Sequence, residues 1–357
     1  MDMASPAALT EVSIIVPARN EEACLAACLS SLATQTGVAF EIIVVDDYST
    51  DRTRQIAERF SEIRVISPLA LPAGWTGKNN ALLAGVQEAR GQWFLLTDAD
   101  TVHQPGSLAR ALAEAKQHAA DMLSYSPEQI AVTFWEMAVL PVVFAELARQ
   151  YPPTKVSDPA SPIAAANGQY ILIRRDAYEA VGGHRAIAGD LLEDVALARA
   201  VKAAGRKLRF RYAADAVRTR MYRNFQHLRE GWKKNLALLF PNTGRLAAKM
   251  LLLWAGAWIA FFVTASGWRP RPWWAWAFIL APIYLGIRLR RANFAWDMEI
   301  LGAVLGMPMF AYLLLLSTIA YSNGQVSWKG RDYRSGNRHS PEKAAKTEHI
   351  DTAKVVP

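Results

Sequence analysis

Two aspartates stand one residue apart, Asp98 and Asp100, in the stretch WFLLTDADTV, directly after an apolar run. A turn beginning at Asp98 lets both carboxylates converge at the end of a buried strand. Their like charges then repel unless a cation sits between them. A hard divalent ion, Mg²⁺ or Mn²⁺, prefers such oxygen ligands and keeps positions open for substrate phosphates. The tripeptide also fits a plain turn, in which aspartate bonds its own backbone.

Other charged residues fall at comparable places. Asp46 and Asp47 close EIIVVDD, Lys78 lies in GKNNAL, and Glu193 with Asp194 lies in LLEDVAL. Each has a bland alternative. The first pair could cap the helix near STDRT, Lys78 could be a solvated helix start, and the last pair could be first-turn acids favoured by the helix dipole. Gly182 and Gly183 suit a turn. His184 after them reads as a structural hydrogen-bond partner.

The elements that must position these residues are short β-branched runs, VSIIVP (12 to 17), EIIVVDD (41 to 47) and WFLL, with helical patterns between them. That alternation predicts an α/β fold with a mostly parallel sheet, flanking helices and ligands at the carboxyl ends of the strands. Residues 129–148 are apolar but interrupted by Glu136, Pro141 and Glu146. They read as a helix lying in a membrane interface, with an ordinary core helix as the alternative. Beyond residue 245, three stretches are candidate spans: 246–267, 273–289 and 300–321. The second is short and contains Pro282. Two crossings would return the basic tail with Lys329, Arg331, Arg334 and Arg338 to the side of the first domain, as the positive-inside rule prefers; three would not. Residues 340–357 read as a disordered polar tail.

Composition agrees with a soluble domain joined to a membrane segment: among 357 residues, 52% are hydrophobic and 20% charged, and the net charge is +8. The basic clusters between Arg206 and Lys234 and in WKGRDYRSGNR flank apolar stretches, so anionic lipid is a simpler partner than nucleic acid. Cys24 and Cys28 are the two cysteines, four apart on one helix face. They provide neither a disulfide framework nor a zinc site. MDMASPAALTEVSIIVP lacks the basic and apolar regions of a cleaved signal, so the first domain is expected in the cytosol.

VPARNEEACLAACLSSLATQ, EIIVVDDYSTDRT, GWTGKNNALLAGVQEARGQWFLLTDADT and GGHRAIAGDLLEDVALARAVKAAG follow one another in this order. Together they resemble the membrane-anchored family 2 glycosyltransferases of the GT-A fold, in the style of the branch that glycosylates carotenoids, hopanoids or ceramide. The resemblance covers about residues 10 to 240. It implies that Pro17, Arg19, Asn20 and Glu21 contact the nucleotide, that Asp46 and Asp47 bind uracil and ribose, and that Lys78 lies near the diphosphate. It further implies that Asp98 and Asp100 hold the metal, with Asp100 the direct ligand and Asp98 also facing the donor. Asp194 matches the catalytic base and Glu193 its neighbour. The expected cofactor is Mn²⁺ or Mg²⁺, the donor a nucleotide-diphosphate sugar such as UDP-glucose, and the acceptor a membrane lipid.

The implied arrangement is a GT-A domain over 1–240, a transmembrane region over 245–322 with two or three spans, and a basic tail over 323–357. It places a multi-pass protein in the inner membrane with its catalytic domain cytosolic. One departure separates this chain from processive members, which carry Gln-x-x-Arg-Trp after the base. Here QHLREGW supplies Gln226 and Arg229 but puts Glu230 at the tryptophan position, with Trp232 displaced. Single transfer is therefore expected rather than polysaccharide synthesis. A membrane scaffold that binds nucleotide sugar without turnover is the non-enzymatic alternative, and Trp232 reads either as an acceptor platform or as a membrane-surface anchor.

Overall fold

The computed structural model describes residues 10–266, 287, 294–324, 326–328 and 331–333. Its strands are β1 (Val12–Ala18), β2 (Phe40–Asp46), β3 (Ile63–Ile66), β4 (Trp93–Leu96), β5 (Thr101–His103), β6 (Met122–Ser126), β7 (Glu128–Gln129), β8 (Ile171–Arg174), β9 (Leu208–Tyr212), β10 (Val217–Thr219), β11 (Val326–Trp328) and β12 (Arg331–Tyr333). The helices are α1 (Leu25–Ala33), α2 (Thr53–Ala57), α3 (Gly77–Glu88), α4 (Ser107–Gln117), α5 (Phe134–Gln150), α6 (Pro153–Val156), α7 (Arg175–Ala180), α8 (Gly183–Ala186), α9 (Glu193–Ala203), α10 (Phe225–Leu239) and α11 (Thr243–Ala265). A last helix, α12, joins Trp296–Leu301 to Met307–Ser322 through one π turn at Gly302–Gly306.

All of β1 except Pro17 is buried. A β-branched run buried on both faces belongs inside a sheet covered by helices on each side. Val12, Ile14 and Val16 face one core with Leu29 of α1 and Leu112 of α4, whereas Ile15 faces a second core with Leu82 of α3 and Leu197 of α9. The seven strands run in the order β3-β2-β1-β4-β8-β6-β9. Only β8 is antiparallel to its neighbours, β4 and β6. Ala18 lies opposite Asp46 and Ile15 opposite Leu96, so the parallel strands β1, β2 and β4 finish on one edge. That edge is where the expected α/β architecture holds a ligand.

Packing around α5, α10 and the basic cluster bears on three expectations. Within residues 129–148 the helix α5 starts only at Phe134, and most of its residues between Ala138 and Glu146 are buried, as in the core-helix alternative. Its apolar side packs with Leu236 of α10 and with Phe310 and Leu314 of α12, so protein covers it. Glu136, 1% exposed, is held by Arg220 at 3.2 Å and closes a capping box with Thr133. Second, several arginines of the basic cluster are engaged with protein: Arg209 and Arg211 pair with Glu114, and Arg206 with Asp121 and Asp176. Third, Trp232 is 2% exposed and packs against Phe144 and Tyr222, which removes the surface-anchor reading.

Among the described residues, two helices are long and apolar enough to cross a membrane, Thr243–Val263 and Asp297–Ser322. The candidate span at 273–289 lies outside the described residues, Ile287 aside, as does the tail beyond 333. Thr243 and Thr318 share a hydrogen bond at 2.6 Å, so the start of α11 meets the end of α12. Ser317 donates to the Lys233 carbonyl and Tyr321 to the Lys234 carbonyl, which fastens α10 to that same end. A Cβ on Gly306 would collide with the Ala138 carbonyl, and Val142 Cγ2 would lie only 2.9 Å from it. Backbones therefore touch where α5 meets α12. Gly306→Val is expected to force them apart at a cost of about 1–3 kcal/mol. A lowered thermal midpoint in detergent reads this; an unchanged midpoint would contradict the packing.

Candidate active site

Each loop leaving the carboxyl edge of the sheet is tied to its neighbour. Arg19 Nη1 donates to the Asp47 carbonyl at 2.6 Å, and Asn20 Oδ1 accepts from the Thr50 amide at 2.8 Å. Asp51, not Asp46 or Asp47, caps the short helix α2, accepting from the Thr53 amide at 2.9 Å. Asp47 is thereby left for the site.

The Asp98 turn is closed by Thr101, whose hydroxyl donates to the Asp98 carbonyl at 2.8 Å, and Thr219 Oγ1 donates to the Asp100 carbonyl at 3.1 Å. Beneath it, His103 Nε2 lies 3.1 Å from both the Thr97 and Thr101 hydroxyls. Burial pushes the His103 imidazole down to about 3, so it is a neutral member of this polar floor. Both carbonyls being fixed from below, the two aspartates line the cavity above.

Helix α3 brings the cation. The Thr76 hydroxyl caps it, accepting from the Asn79 amide at 3.2 Å. The Asn79 side-chain amide donates to the carbonyls of Ile187, Ala188 and Asp190 at 2.8, 3.0 and 3.1 Å. These bonds pull the loop before α9 onto the start of α3, and so Glu193 and Asp194 in the first turn of α9 arrive beside Lys78. Lys78 Nζ sits 2.6 Å from both Asp98 Oδ1 and Glu193 Oε1. Some of the repulsion in the acidic cluster is therefore relieved by the chain's own ammonium.

The three carboxyls respond differently. Burial raises Asp98 and outweighs Lys78, which lowers it. Burial also acts to raise Glu193, but the cations Lys78 and Lys234 overcome it and hold the group below the usual carboxylate range. Asp194 is raised to about 6, first by burial and then by the charge of Glu193. Its oxygens accept from the Gly168 amide at 2.9 Å and the Val195 amide at 2.8 Å, fixing its orientation. One carboxyl held ionised beside one raised to about 6 is an arrangement able to separate a charge partner from a proton acceptor.

A cavity of about 340 Å³ is lined by Pro17, Arg19, Glu21, Asp47, Lys78, Asp98, Asp100, Glu193 and Asp194. Asn20 and Asp46 do not line it; they serve the loops, Asp46 buried at the end of β2. His184 is structural as expected, its Nδ1 2.8 Å from the Tyr178 hydroxyl. The far wall comes from Phe144, Leu147, Trp232 and Leu239 of α5 and α10. Lys234 and Arg331, also at the wall, were not singled out by sequence, where both merge into basic clusters beside apolar segments. The all-oxygen set of Asp98 and Asp100 fits Mg²⁺ or Mn²⁺. Among the described residues no three His, Cys, Asp or Glu side chains form a metal-binding group, so a cation here would complete its shell with donor phosphate and water.

Residues 13–182 match the family model Glycosyl transferase family 2. The 4,4'-diaponeurosporenoate glycosyltransferase of Staphylococcus aureus (strain USA300) is 28% identical over 255 residues, a match covering 68% of this chain and 65% of the relative. The chain thus spans less than two thirds of the curated relatives' length. Among solved structures, mannosyltransferase PcManGT from Pyrobaculum calidifontis in complex with GDP-Man and Mn²⁺ is 16% identical with a TM-score of 0.49, covering 87% of this chain and 86% of the other. Staphylococcus aureus TarS 1–349 in complex with UDP-GlcNAc is 17% identical with a TM-score of 0.45, covering 88% and 93%.

Proposed function

From the match of residues 13–182 to the glycosyl transferase family 2 model, we propose that the chain moves one hexose from a nucleotide-diphosphate sugar, glucose from UDP-glucose, to a hydroxyl or carboxyl group of an amphipathic membrane lipid. One observation carries the reading: Asp47, Lys78, Asp98, Asp100 and Asp194, drawn from four separated segments, share a single cavity at the carboxyl edge of the sheet. The nucleotide lies against Asp47 and the loop of Pro17 and Arg19. Lys78 supplies positive charge where the departing diphosphate gains negative charge. Asp98 and Asp100 are the residues that would hold a divalent cation, which would supply Lewis-acid stabilisation of that same charge. Asp194, in the first turn of α9, takes the acceptor proton, and displacement from its side inverts the anomeric carbon.

The apolar wall of α5 and α10, fastened to two helices long enough to span a bilayer, supports an acceptor that enters from a membrane. The name of the Staphylococcus aureus relative, a glycosyltransferase acting on 4,4'-diaponeurosporenoate, supports the same acceptor class. Glu230 stands where a processive enzyme has tryptophan, and it is engaged by Gln226 at 3.1 Å on an exposed helix face. Purified full-length protein given UDP-glucose, Mn²⁺ and a lipid extract should release UDP only when acceptor is present. Release without acceptor, or a long water-soluble polymer among the products, would defeat this reading.

A further inference from the structure

We propose that Arg331 is a donor-site residue, which holds Asp47 in the ligand-free protein and exchanges that carboxylate for the diphosphate of a bound nucleoside diphosphate sugar. The proposal rests on the reading above and adds a residue and a coupling to it. The hairpin β11–β12 follows α12 and pairs Trp328 with Arg331. From there Arg331 Nη1 reaches Asp47 Oδ2 at 2.5 Å and Nη2 reaches Oδ1 at 2.9 Å, across 284 residues of sequence. The guanidinium lies over the start of α3: a Cβ on Gly77 would overlap Nη1 and sit 2.6 Å from Asp47 Oδ2. The Arg331 side chain is 19% exposed and that of Asp47 6%, so the pair is part of the cavity wall and not a surface contact.

Three features favour exchange over a fixed brace. First, Arg331 engages both oxygens of the carboxylate that the nucleotide's own donors, ribose hydroxyls or a base N–H, would need. Second, a guanidinium fork fits a phosphate as well as it fits a carboxylate. Third, Lys78 is shared by Asp98 and Glu193, and Arg331 stands beside it at the start of α3, so a diphosphate placed there would meet a second cation. When donor binds, one carboxylate pair is lost and two interactions form, nucleotide to Asp47 and diphosphate to Arg331. The segment beyond the second apolar helix thus completes the donor site, which requires it to lie on the catalytic side.

Affinities for UDP and for uridine, with GDP and guanosine in parallel, test this on the full chain in detergent. The expected result for Arg331→Ala is a loss of about tenfold or more for the diphosphate, since a hydrogen bond to a charged group is removed, with nucleoside affinity unchanged or higher because Asp47 is released. Arg331→Lys should fall between, retaining charge without the fork. The ratio of the two affinities is read within each variant, so a smaller folded fraction does not disturb it. An Arg331→Ala protein that binds UDP as tightly as wild type, or more tightly, would overturn the proposal while leaving the parent reading in place. Wild-type protein that binds neither diphosphate would overturn both.

Discussion

Asp194→Asn should lower turnover by about 10²–10⁴-fold, the range that a positioned general base contributes, while UDP affinity changes little. Asparagine keeps the shape but only one of the two acceptor oxygens, so one of the bonds from the amides of Gly168 and Val195 is lost and the other still orients the side chain. Asp194 is raised to about 6 by burial and by Glu193, and a carboxyl raised in the folded state costs stability where it is ionised. Removing its charge takes that cost away, so the thermal midpoint of the variant at neutral pH should stay near wild type. A variant with normal midpoint and normal turnover would remove the base assignment.

The same value sets a pH signature. Only ionised Asp194 can accept a proton, so kcat/KM should fall as pH drops through about 6. Glu193→Gln removes the second contributor to the shift, after burial, and leaves Lys78 to act on Asp194 alone among the nearest charges. The acid limb should then move to lower pH. A limb that stays in place would separate the activity profile from Asp194.

Much of this site could be read from sequence because its signals are local. β1 and β2 are buried on both faces, which makes them unbroken β-branched runs, and their observed bounds fall within a residue of those expected. Asp98 and Asp100 follow such a run and turn as expected. At the end of β2, adjacent side chains take opposite directions, so only one of Asp46 and Asp47 can enter the cavity, and the residue types do not say which. Lys234 and Arg331 were hidden for a different reason. A cation beside an apolar segment looks the same whether it faces lipid headgroups or an acidic cavity; for Arg331 the contact across 284 residues makes the distinction, and for Lys234 its place in the cavity lining does. The pairing of Arg209 and Arg211 with Glu114 escaped for the same reason.

Lys78→Met carries the second large effect, because one ammonium serves two carboxylates. Its removal leaves Asp98 and Glu193 facing each other without their shared cation, and loss of a positioned charge at the departing group is worth about 10²–10³ in turnover. The stability change has a defined pH dependence. Glu193 is held below the ordinary carboxylate range in the wild type by Lys78 and Lys234, against burial, so its contribution is present above the unfolded pKa of about 4.3 and fades as pH falls through the lower folded value. In the variant Lys78 no longer offsets burial, both carboxyls move upward, and protonation in mild acid relieves the repulsion. The difference in thermal midpoint between wild type and Lys78→Met should therefore be widest near neutral pH and narrow toward pH of about 4. A difference that is constant with pH would mean that Lys78 supports the fold through packing of its methylene stem, and the charge bridge at the centre of the site would lose its role.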